Sequence, residues 1–383
     1  MLKRYLLAPG PTPVPPQVLQ SMAMPILHHR APDFVPIMDE ARKGLQWLYQ
    51  TKNDVLILTS TGTGGMVSAV NNFMNAGDRA LVVNGGKFGE RWTKICKTHG
   101  VDVTEVKADW GYTVKPAQVA EALKADPSIK AVFIQASETS TGVFHPIKDV
   151  GAAIKASGSD ALYIVDAISG LVAHDIRTDE WDIDVMVAGA QKGLMLPPGL
   201  AFISVSEKAW ARAKTCTTPH FYFDLQKERT KQAENQTLFT SAVSLIVGLA
   251  EAMKMMRAEG LANVFARHAR LANATREACK ALGLGLYAKE NPSDALTAVE
   301  APAGIDGQEI YKRLRVDYGI TGAGGQDQAK GRIFRIAHLG YADTFDVITA
   351  IAGLEMVLKG LGADITLGKG VAKAQELLMV KGT

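Results

Sequence analysis

A lysine stands at the carboxyl end of an apolar, strand-like run in the segment VMVAGAQKGLMLPPG, residues 185–199. Gln191 and Lys192 follow the run directly, and a turn rich in glycine and proline closes it. Removal from water lowers the pKa of an amine toward its neutral, nucleophilic form, so such a lysine could attack a carbonyl group. The alternative is a surface lysine at a turn, and this segment alone is compatible with both.

A second candidate site is the segment TSTGTGG, residues 59–65, which lies between a strand-like run and a helical pattern. Small hydroxyl side chains and glycines at such a turn leave backbone N–H groups and a helix N-terminus open to an anion, typically a phosphate. The segment lacks both the GxGxxG pattern and the P-loop lysine, so neither dinucleotide nor nucleoside triphosphate binding is supported. The alternative is a helix N-cap with a flexible turn.

Two further residues could act beside them. Asp166 ends the apolar run of LYIVDAISG, where an acid can bind a ribose, a metal ion or a ring nitrogen, or can simply cap a helix. Arg335 lies inside the β-like run of GRIFRIAH. Its planar guanidinium could bind a carboxylate through two hydrogen bonds, although a structural ion pair would use the same residue.

The order of these residues is more informative than any one of them. A phosphate-type turn is followed by an acid about a hundred residues later, then by a lysine after one further strand, and then by a late arginine. Pyridoxal phosphate chemistry requires this set, because the phosphate needs an anion site, the ring nitrogen a carboxylate and the aldehyde a lysine.

The elements that would position these residues alternate between strand-like and helical patterns. Near-continuous Val, Ile and Leu runs are typical of strands covered on both faces, and helical periodicity between them predicts a mainly parallel sheet. In such a sheet, ligands bind beyond the carboxyl ends of the strands. The predicted strands are residues 54–59, 79–84, 101–106, 131–136, 162–167, 185–190 and 201–205, with helical patterns at 66–74, 116–123 and 147–154.

The alternation of strand-like and helical patterns ends at about residue 241. Residues 241–283 form one long helical pattern that we expect to break at Gly260. The shorter strand-like and helical patterns that follow predict a smaller α+β domain of about 100 residues. For the last twenty residues the pattern is compatible with a helix followed by a loose end.

Composition narrows the class of protein. The 383 residues carry a net charge of only +3, which argues against a nucleic acid or an anionic membrane as partner. The three cysteines (Cys96, Cys216 and Cys279) are scattered without CxxC spacing, which predicts a reducing compartment and neither a disulfide framework nor a zinc site. Pro9-Gly10-Pro11 interrupts the first apolar run, so we expect no signal peptide and a soluble, cytoplasmic protein.

The whole chain resembles the class V, fold-type I pyridoxal phosphate aminotransferases, most closely the alanine–glyoxylate and serine–glyoxylate (serine–pyruvate) group. This many motifs in the family's order are specific for the family and much less so for the substrate. The motifs are LLAPGPTPVPP, HHRAPDF, STGTGG, NGGKFGERW, ETSTGV, YIVDAISG, GAQKGLMLPPG, NQTLFTSAVSLI and RIFRIAHLG.

The resemblance implies an α/β fold and a division of the chain into three parts. Residues 1–16 would cover the substrate, residues 17–260 would form a large cofactor-binding domain with a mainly parallel seven-stranded sheet, and residues 261–383 a smaller α+β domain. It also implies a homodimer with shared active sites, small-molecule substrates and no metal ion.

The resemblance further implies roles for individual residues. Lys192 would form the Schiff base with pyridoxal 5′-phosphate and carry the proton in the reaction, and Asp166 would face the pyridine nitrogen. Arg335 would bind the substrate carboxylate beneath the loop of Pro9 and Gly10. The expected cofactor contacts are the phosphate turn Thr61, Gly62 and Thr63, the phosphate ligand Gln191, the stacking ring Phe88 (where close relatives often have Trp), the hydroxyl of Thr139 beside the ring, and Thr240 from the neighbouring subunit.

The expected reaction is transamination from alanine or serine to glyoxylate or pyruvate, because the loop at residues 321–332 offers small polar side chains and little apolar surface. The alternatives are aspartate as donor, with Arg30 or His28 as a second cation, and 2-aminoethylphosphonate. A cysteine desulfurase would need a late cysteine, and none follows Cys279. A relative that kept the fold and lost turnover is the non-enzymatic alternative.

Overall fold

The computed structural model describes residues 2–379 and combines a large central sheet with a C-terminal α+β layer. The strands are β1 (Tyr5–Leu6), β2 (Asp54–Thr59), β3 (Arg79–Asn84), β4 (Asp102–Lys107), β5 (Ile129–Gln135), β6 (Ser137–Glu138), β7 (Val143–Phe144), β8 (Leu162–Asp166), β9 (Val185–Gly189), β10 (Leu200–Val205), β11 (Leu296–Glu300), β12 (Ile320–Thr321), β13 (Ala323–Gly324) and β14 (Ile333–Ala337).

The helices cover both faces of the central sheet and most of the C-terminal layer. They are α1 (Pro16–Met22), α2 (Val35–Tyr49), α3 (Gly62–Phe73), α4 (Lys87–Thr98), α5 (Pro116–Ala125), α6 (Ile147–Ala156), α7 (Glu207–Ala213), α8 (Leu225–Ala233), α9 (Val243–Glu259), α10 (Leu261–Ala281), α11 (Gly307–Tyr318), α12 (Thr344–Gly360) and α13 (Lys369–Leu378), with a short 3₁₀ turn at Asp327–Ala329.

The central sheet has seven strands in the order β2-β10-β9-β8-β5-β3-β4. Strand β10 runs antiparallel to both of its neighbours, and the other neighbouring pairs are parallel. These are the seven strands that the sequence predicts, each within two residues of its predicted ends. The prediction of an α/β fold with a mainly parallel seven-stranded sheet is confirmed.

The strands of this sheet contribute side chains to two hydrophobic cores, one on each face of the sheet. In β2, Val55 and Ile57 pack into the core beneath α2 and α9, whereas Leu56 and Leu58 pack into the core beneath α3 and α4. Because alternate side chains point to opposite faces, a strand buried on both sides has to be apolar throughout. Burial of each such side chain stabilises the fold by about 1.5–3 kcal/mol.

The C-terminal layer begins after the predicted helix break. Helix α9 ends at Glu259 and α10 begins at Leu261, because Gly260 between them adopts a φ of +84°. A three-stranded antiparallel sheet of order β11-β14-β13 packs with α10 to α13 around a third hydrophobic core. Of the last twenty residues, α13 takes up Lys369–Leu378, and residues 380–383 lie outside the described part of the chain.

The N-terminal segment is held by the C-terminal layer. Strand β1 pairs in parallel with β12, and the carbonyl oxygen of Leu7 accepts a 2.8 Å hydrogen bond from the N–H of Ala337. The sequence did not predict this two-residue strand. Its pairing sets the path of the chain into Pro9 and Gly10. Within residues 2–379, no helix has the length and apolar character needed to cross a bilayer.

Candidate active site

Asp166 and Lys192 meet at the carboxyl edge of the central sheet. Asp166 is the last residue of β8, and Lys192 lies in the turn that follows β9. The turn is tightly held, because a Cβ on Gly193 would lie 2.5 Å from Cβ of Val172. The N–H of Leu196 also donates to the carbonyl oxygen of Ala190 at 3.2 Å. The segment therefore fixes the position from which Lys192 extends.

The N-terminal segment lies directly on Lys192. Its Nζ donates a hydrogen bond to the carbonyl oxygen of Pro9, and the hydroxyl of Thr12 donates to the Lys192 carbonyl oxygen at 2.9 Å. A Cβ on Gly10, whose φ is +127°, would lie 2.4 Å from Nζ. Only glycine fits this approach, so the structure brings Pro9 and Gly10 to Lys192.

The environment of Lys192 favours its neutral form. Burial lowers the pKa of its amine to about 8, and the positive charges of Arg335 and Arg91 lower it further, while the negative charge of Asp166 acts in the opposite direction. An amine with this pKa is partly deprotonated near neutral pH and can act as a base or nucleophile.

Asp166 is a buried acid with few partners. Its carboxyl pKa is raised to about 7, chiefly by burial and in part by the negative charge of Glu138. A 2.8 Å hydrogen bond from the N–H of Ile168 lowers the pKa, as do the charges of Arg91 and Lys192. Residues 167–170 form a turn and no helix, so Asp166 does not cap a helix as the alternative interpretation required.

The turn at residues 61–63 forms the start of α3. Thr61 is the N-cap, and its hydroxyl accepts from the N–H of Gly64 at 3.4 Å. The hydroxyl of Thr63 accepts a 3.0 Å hydrogen bond from Nη1 of Arg91. Cζ of the same guanidinium lies 4.7 Å from the ring centroid of Phe88. A helix N-terminus with an adjacent guanidinium is a suitable site for a phosphate.

Arg335 is buried and contacts carbonyl oxygens. Nε and Nη2 donate to the carbonyl oxygen of Gly324 at 3.0 and 2.7 Å, and Nη1 donates to that of Thr139 at 2.7 Å. Its pKa is lowered to about 10, chiefly by burial, with the negative charge of Glu138 acting in the opposite direction. Among the described residues no carboxylate forms a salt bridge with Arg335, so the structural ion pair considered above is not formed there.

Three residues that were expected to contribute to the site have no hydrogen bond to the site residues described above. Thr240 is exposed and lines a small cavity with Tyr222 at the end of β2. Arg30 and His28, the candidates for a second cation, are also exposed, and the guanidinium of Arg30 donates a 3.5 Å hydrogen bond to the carbonyl oxygen of Leu238. The role of Thr240 in a neighbouring subunit stays a prediction.

Two residues of the site were missed in the sequence. Glu138 is fully buried, and its charge acts on both Asp166 and Arg335. Arg91 contacts Thr63 and packs over Phe88. Both stand inside the quoted motifs ETSTGV and NGGKFGERW, and an acid two residues after a mostly apolar strand is a usable signal for Glu138.

An open α/β sheet with a lysine and an acid at the carboxyl ends of adjacent strands is the architecture of fold-type I pyridoxal phosphate enzymes. The chain belongs to the aminotransferase class-V family, whose profile matches residues 4–338. It is a pyridoxal phosphate-dependent aminotransferase, and the resemblance seen in the sequence is confirmed.

Relatives with different names match nearly the whole chain. The soluble hydrogenase small subunit of Synechococcus sp. is 46% identical over 381 residues, covering 98% of each chain. The L-aspartate–glyoxylate aminotransferase of Paracoccus denitrificans is 39% identical and covers 96% of this chain and 94% of its own. The serine–glyoxylate aminotransferase of Methylorubrum extorquens is 37% identical, with coverage of 98% and 96%.

A solved structure agrees with the fold over the same length. The ureidoglycine–glyoxylate aminotransferase of Bacillus subtilis superposes with a TM-score of 0.92 at 31% identity, covering 98% of each chain. These names share aminotransfer to glyoxylate and differ in the donor, whereas the Synechococcus protein carries a hydrogenase name.

The residues at the sheet edge fit pyridoxal phosphate. The side-chain oxygen of Gln191 is buried without a hydrogen-bond partner, and a half-turn of the amide would present its NH₂ group to a phosphate. The buried carboxylate of Asp166 suits a cationic ring nitrogen. In the part of the chain that the structure describes, no group of three or more His, Cys, Asp or Glu side chains is arranged to hold a metal ion.

Proposed function

We propose that this aminotransferase transfers the amino group of a small amino acid, alanine or serine, to a small 2-oxo acid such as glyoxylate or pyruvate. The observation that carries the proposal is the surroundings of Arg335. Ala323 of β13 is paired with it, and the carbonyl oxygen of Gly324 accepts two of its hydrogen bonds. Such a wall gives a bulky apolar side chain no surface on which to bury.

Arg335 would bind the carboxylate of the donor. Its hydrogen bonds to Gly324 and Thr139 hold the guanidinium plane in place, and a charged, bidentate contact fixes both the position and the orientation of the donor. Pro9 and Gly10 lie over Lys192, where they exclude water from the reacting amine and limit the size of the donor side chain.

Lys192 would hold and move the proton at Cα of the donor, because its amine has a pKa of about 8 and can alternate between base and acid near neutral pH. When bound, pyridoxal phosphate supplies the electron sink that makes this proton acidic. Asp166 would stabilise the positive charge on the ring nitrogen. Thr61, Gly62, Thr63 and Gln191 would hold the phosphate, and Phe88 and Thr139 would flank the ring.

We extend the proposal to a homodimer in the cytoplasm. Exposed Thr240 would reach the phosphate of the neighbouring subunit, and the exposed apolar side chains of Met24, Ile26 and Phe221 support a covered surface in solution. The cysteines are free, which supports a reducing compartment.

Aspartate is the second candidate donor. The Paracoccus relative is named for it, and the charge of Arg91 acts on Lys192, so a second cation is present near the reacting amine. A desulfurase-like reaction has little support, because Cys279 is fully buried and burial raises its pKa to about 12, which disfavours the thiolate.

Donor kinetics with glyoxylate as acceptor test the proposal. Alanine and serine are expected to give the highest kcat/KM, with aspartate as the informative comparison. Phenylalanine and leucine are expected to be poor donors. Equal kcat/KM for leucine and alanine would overturn the small-donor proposal while leaving the aminotransferase class intact.

A further inference from the structure

Helix α4 begins without a side chain of its own to cap it. Its N-cap residue is Gly86, and the first N–H groups of a helix have no partner within the helix. In this structure the acceptors come from another element. The hydroxyl of Ser140 accepts from the N–H of Lys87 at 3.0 Å, and the carboxylate of Glu138 accepts from those of Phe88 and Gly89, each at 3.1 Å.

The surroundings of Glu138 suit an ionised carboxylate. Its other oxygen accepts from the N–H of Ser140 at 3.2 Å and from the Ser140 hydroxyl at 2.5 Å, so each of these contacts is a donor. The positive end of the α4 dipole adds to this stabilisation. Burial raises the pKa of Glu138 above its ordinary value, and the hydrogen bonds from Ser140, Gly89 and Phe88 oppose this rise. A Cβ on Gly86 would lie 2.6 Å from Cδ of Glu138, so the glycine allows the close approach.

Glu138 reaches two groups that the proposed reaction needs. Phe88, the expected stacking ring, lies in the first turn of α4, and its backbone is held by the carboxylate. Thr139 is adjacent to Glu138, and its carbonyl oxygen accepts the 2.7 Å hydrogen bond from Arg335. A single buried side chain thus connects the cofactor side of the site with the carboxylate-binding side.

We propose that Glu138 is a positioning residue that fixes the ring of Phe88 and the guanidinium of Arg335 in their positions relative to each other. It acts through the backbone of α4 and through the turn at residues 138–140, and it touches neither cofactor nor substrate. The role assigned to Arg335 rests on the proposed function, whereas the role assigned to Phe88 rests only on cofactor binding.

A second buried glutamate in the chain caps a helix in the same way and provides a matched control for Glu138. Glu355 is also buried, and it accepts from the N–H groups of Gly368, Gly370 and Val371 at 2.6, 2.7 and 3.1 Å, at the start of α13. As with α4, the N-cap residue is a glycine. Glu355 lies in the C-terminal layer, and its hydrogen bonds at the start of α13 involve none of the residues of the candidate site.

The test compares Glu138→Gln with Glu355→Gln, because each amide places an NH₂ group against backbone donors and removes a charge. Both variants are expected to lower the melting temperature. Only Glu138→Gln is expected to weaken pyridoxal phosphate binding to the cofactor-free protein, and to raise KM for alanine, each by about tenfold. It should also move the acid limb of the cofactor-binding pH profile to lower pH, since the negative charge of Glu138 is one cause of the raised pKa of Asp166. Glu138→Asp keeps the charge and should recover the pH profile.

Equal cofactor affinity and equal KM in the two glutamine variants would overturn the proposal. If Glu138→Gln does not fold, Ser140→Ala serves instead, because it removes the acceptor of Lys87 N–H and one donor to Glu138. The same shifts are then expected at smaller size, and unchanged affinity and KM would again refute the role. If wild-type protein uses neither alanine nor serine, the small-donor proposal fails, while the cofactor titration still decides the role of Glu138.

Discussion

Asp166 and Asp184 are buried aspartates at opposite ends of two neighbouring strands, Asp166 at the carboxyl edge of the sheet and Asp184 at its amino edge. Asp184 precedes β9, and its carboxylate accepts from the N–H of Tyr163 at 2.9 Å and the hydroxyl of Ser206 at 2.8 Å, with Nζ of Lys208 at 3.5 Å. Asp166 ends β8 and accepts a 2.8 Å hydrogen bond from the N–H of Ile168. Burial raises its pKa to about 7.

The two aspartates differ in how many hydrogen-bond and charge partners the protein itself provides for them. At the amino edge, the protein supplies the acid with hydrogen bonds and a cation, so the charge is stabilised within the chain. At the carboxyl edge, the acid and Lys192 are both buried with shifted pKa values. Perturbed groups of this kind cluster at functional sites, which supports the proposal that the reaction takes place at the carboxyl edge.

The largest effect is expected for Lys192→Ala. Loss of the amine would remove the proposed carrier of the proton at Cα, so kcat for transamination should fall by about 10⁴-fold. Some cofactor should stay bound, because the phosphate turn at Thr61 to Thr63 is intact. Steady-state kinetics and cofactor absorbance after gel filtration measure the two effects.

The matched control is Lys208→Ala at the amino edge, where Nζ donates to the carbonyl oxygen of Ala161 at 2.9 Å. It should keep near wild-type activity. Borohydride reduction of the holoenzyme followed by peptide mapping gives an independent check, since a label on any lysine other than Lys192 would contradict the assignment.

A smaller loss is expected for Asp166→Asn. A neutral amide cannot stabilise a positive charge on the ring nitrogen, so kcat should fall by about 10³-fold while the cofactor stays bound. Asp184→Asn is expected to lower the melting temperature and to leave kcat nearly unchanged. Near wild-type turnover in Asp166→Asn would remove the distinction between the two edges.

A more limited change is expected for Arg335→Ala. The variant would lose the proposed charged, bidentate contact to the donor carboxylate, so KM should rise by about 10²-fold for each donor, with a smaller change in kcat. Arg276, which is paired with Asp294 at 3.0 Å in the same C-terminal layer, provides the control variant Arg276→Ala. A KM increase for alanine but none for serine would argue against a shared carboxylate site.

The smallest expected effect concerns the stability of the cofactor-free protein. The pKa of Asp166 is 3.8 in the unfolded chain and about 7 in the folded protein, so the folded protein binds this proton more tightly. The resulting stabilisation of the folded state is complete below about pH 4 and is lost as the pH rises through 7. Asp166→Asn has no such titration. Its melting temperature relative to wild type should therefore increase between pH 5 and pH 8, by a few degrees.

Differential scanning calorimetry of the two cofactor-free proteins measures this difference. Asp184→Asn provides the comparison at the other edge, where the acid is held by Tyr163, Ser206 and Lys208. A difference between Asp166→Asn and wild type that stays constant with pH would show that Asp166 does not titrate in this range.

Much of the fold follows from local patterns in the sequence. Val, Ile and Leu runs such as residues 185–190 mark strands buried on both faces, and Gly260 marks the break between α9 and α10. Motif order along the chain is enough to group Lys192, Asp166 and Arg335 as candidates for one site. Each of these signals is local, or depends only on order along the chain.

The tertiary structure alone decided the contacts between distant segments. The pairing of β1 with β12 places Gly10 on Lys192, and the capping of α4 by Glu138 joins segments 50 residues apart. Likewise, the pKa of Asp166 depends on burial and on charges from three other parts of the chain. The sequence determined which residues are available and which strands carry them, but burial, electric field and close approach depend on every element packed around a site, so only the folded chain determines them.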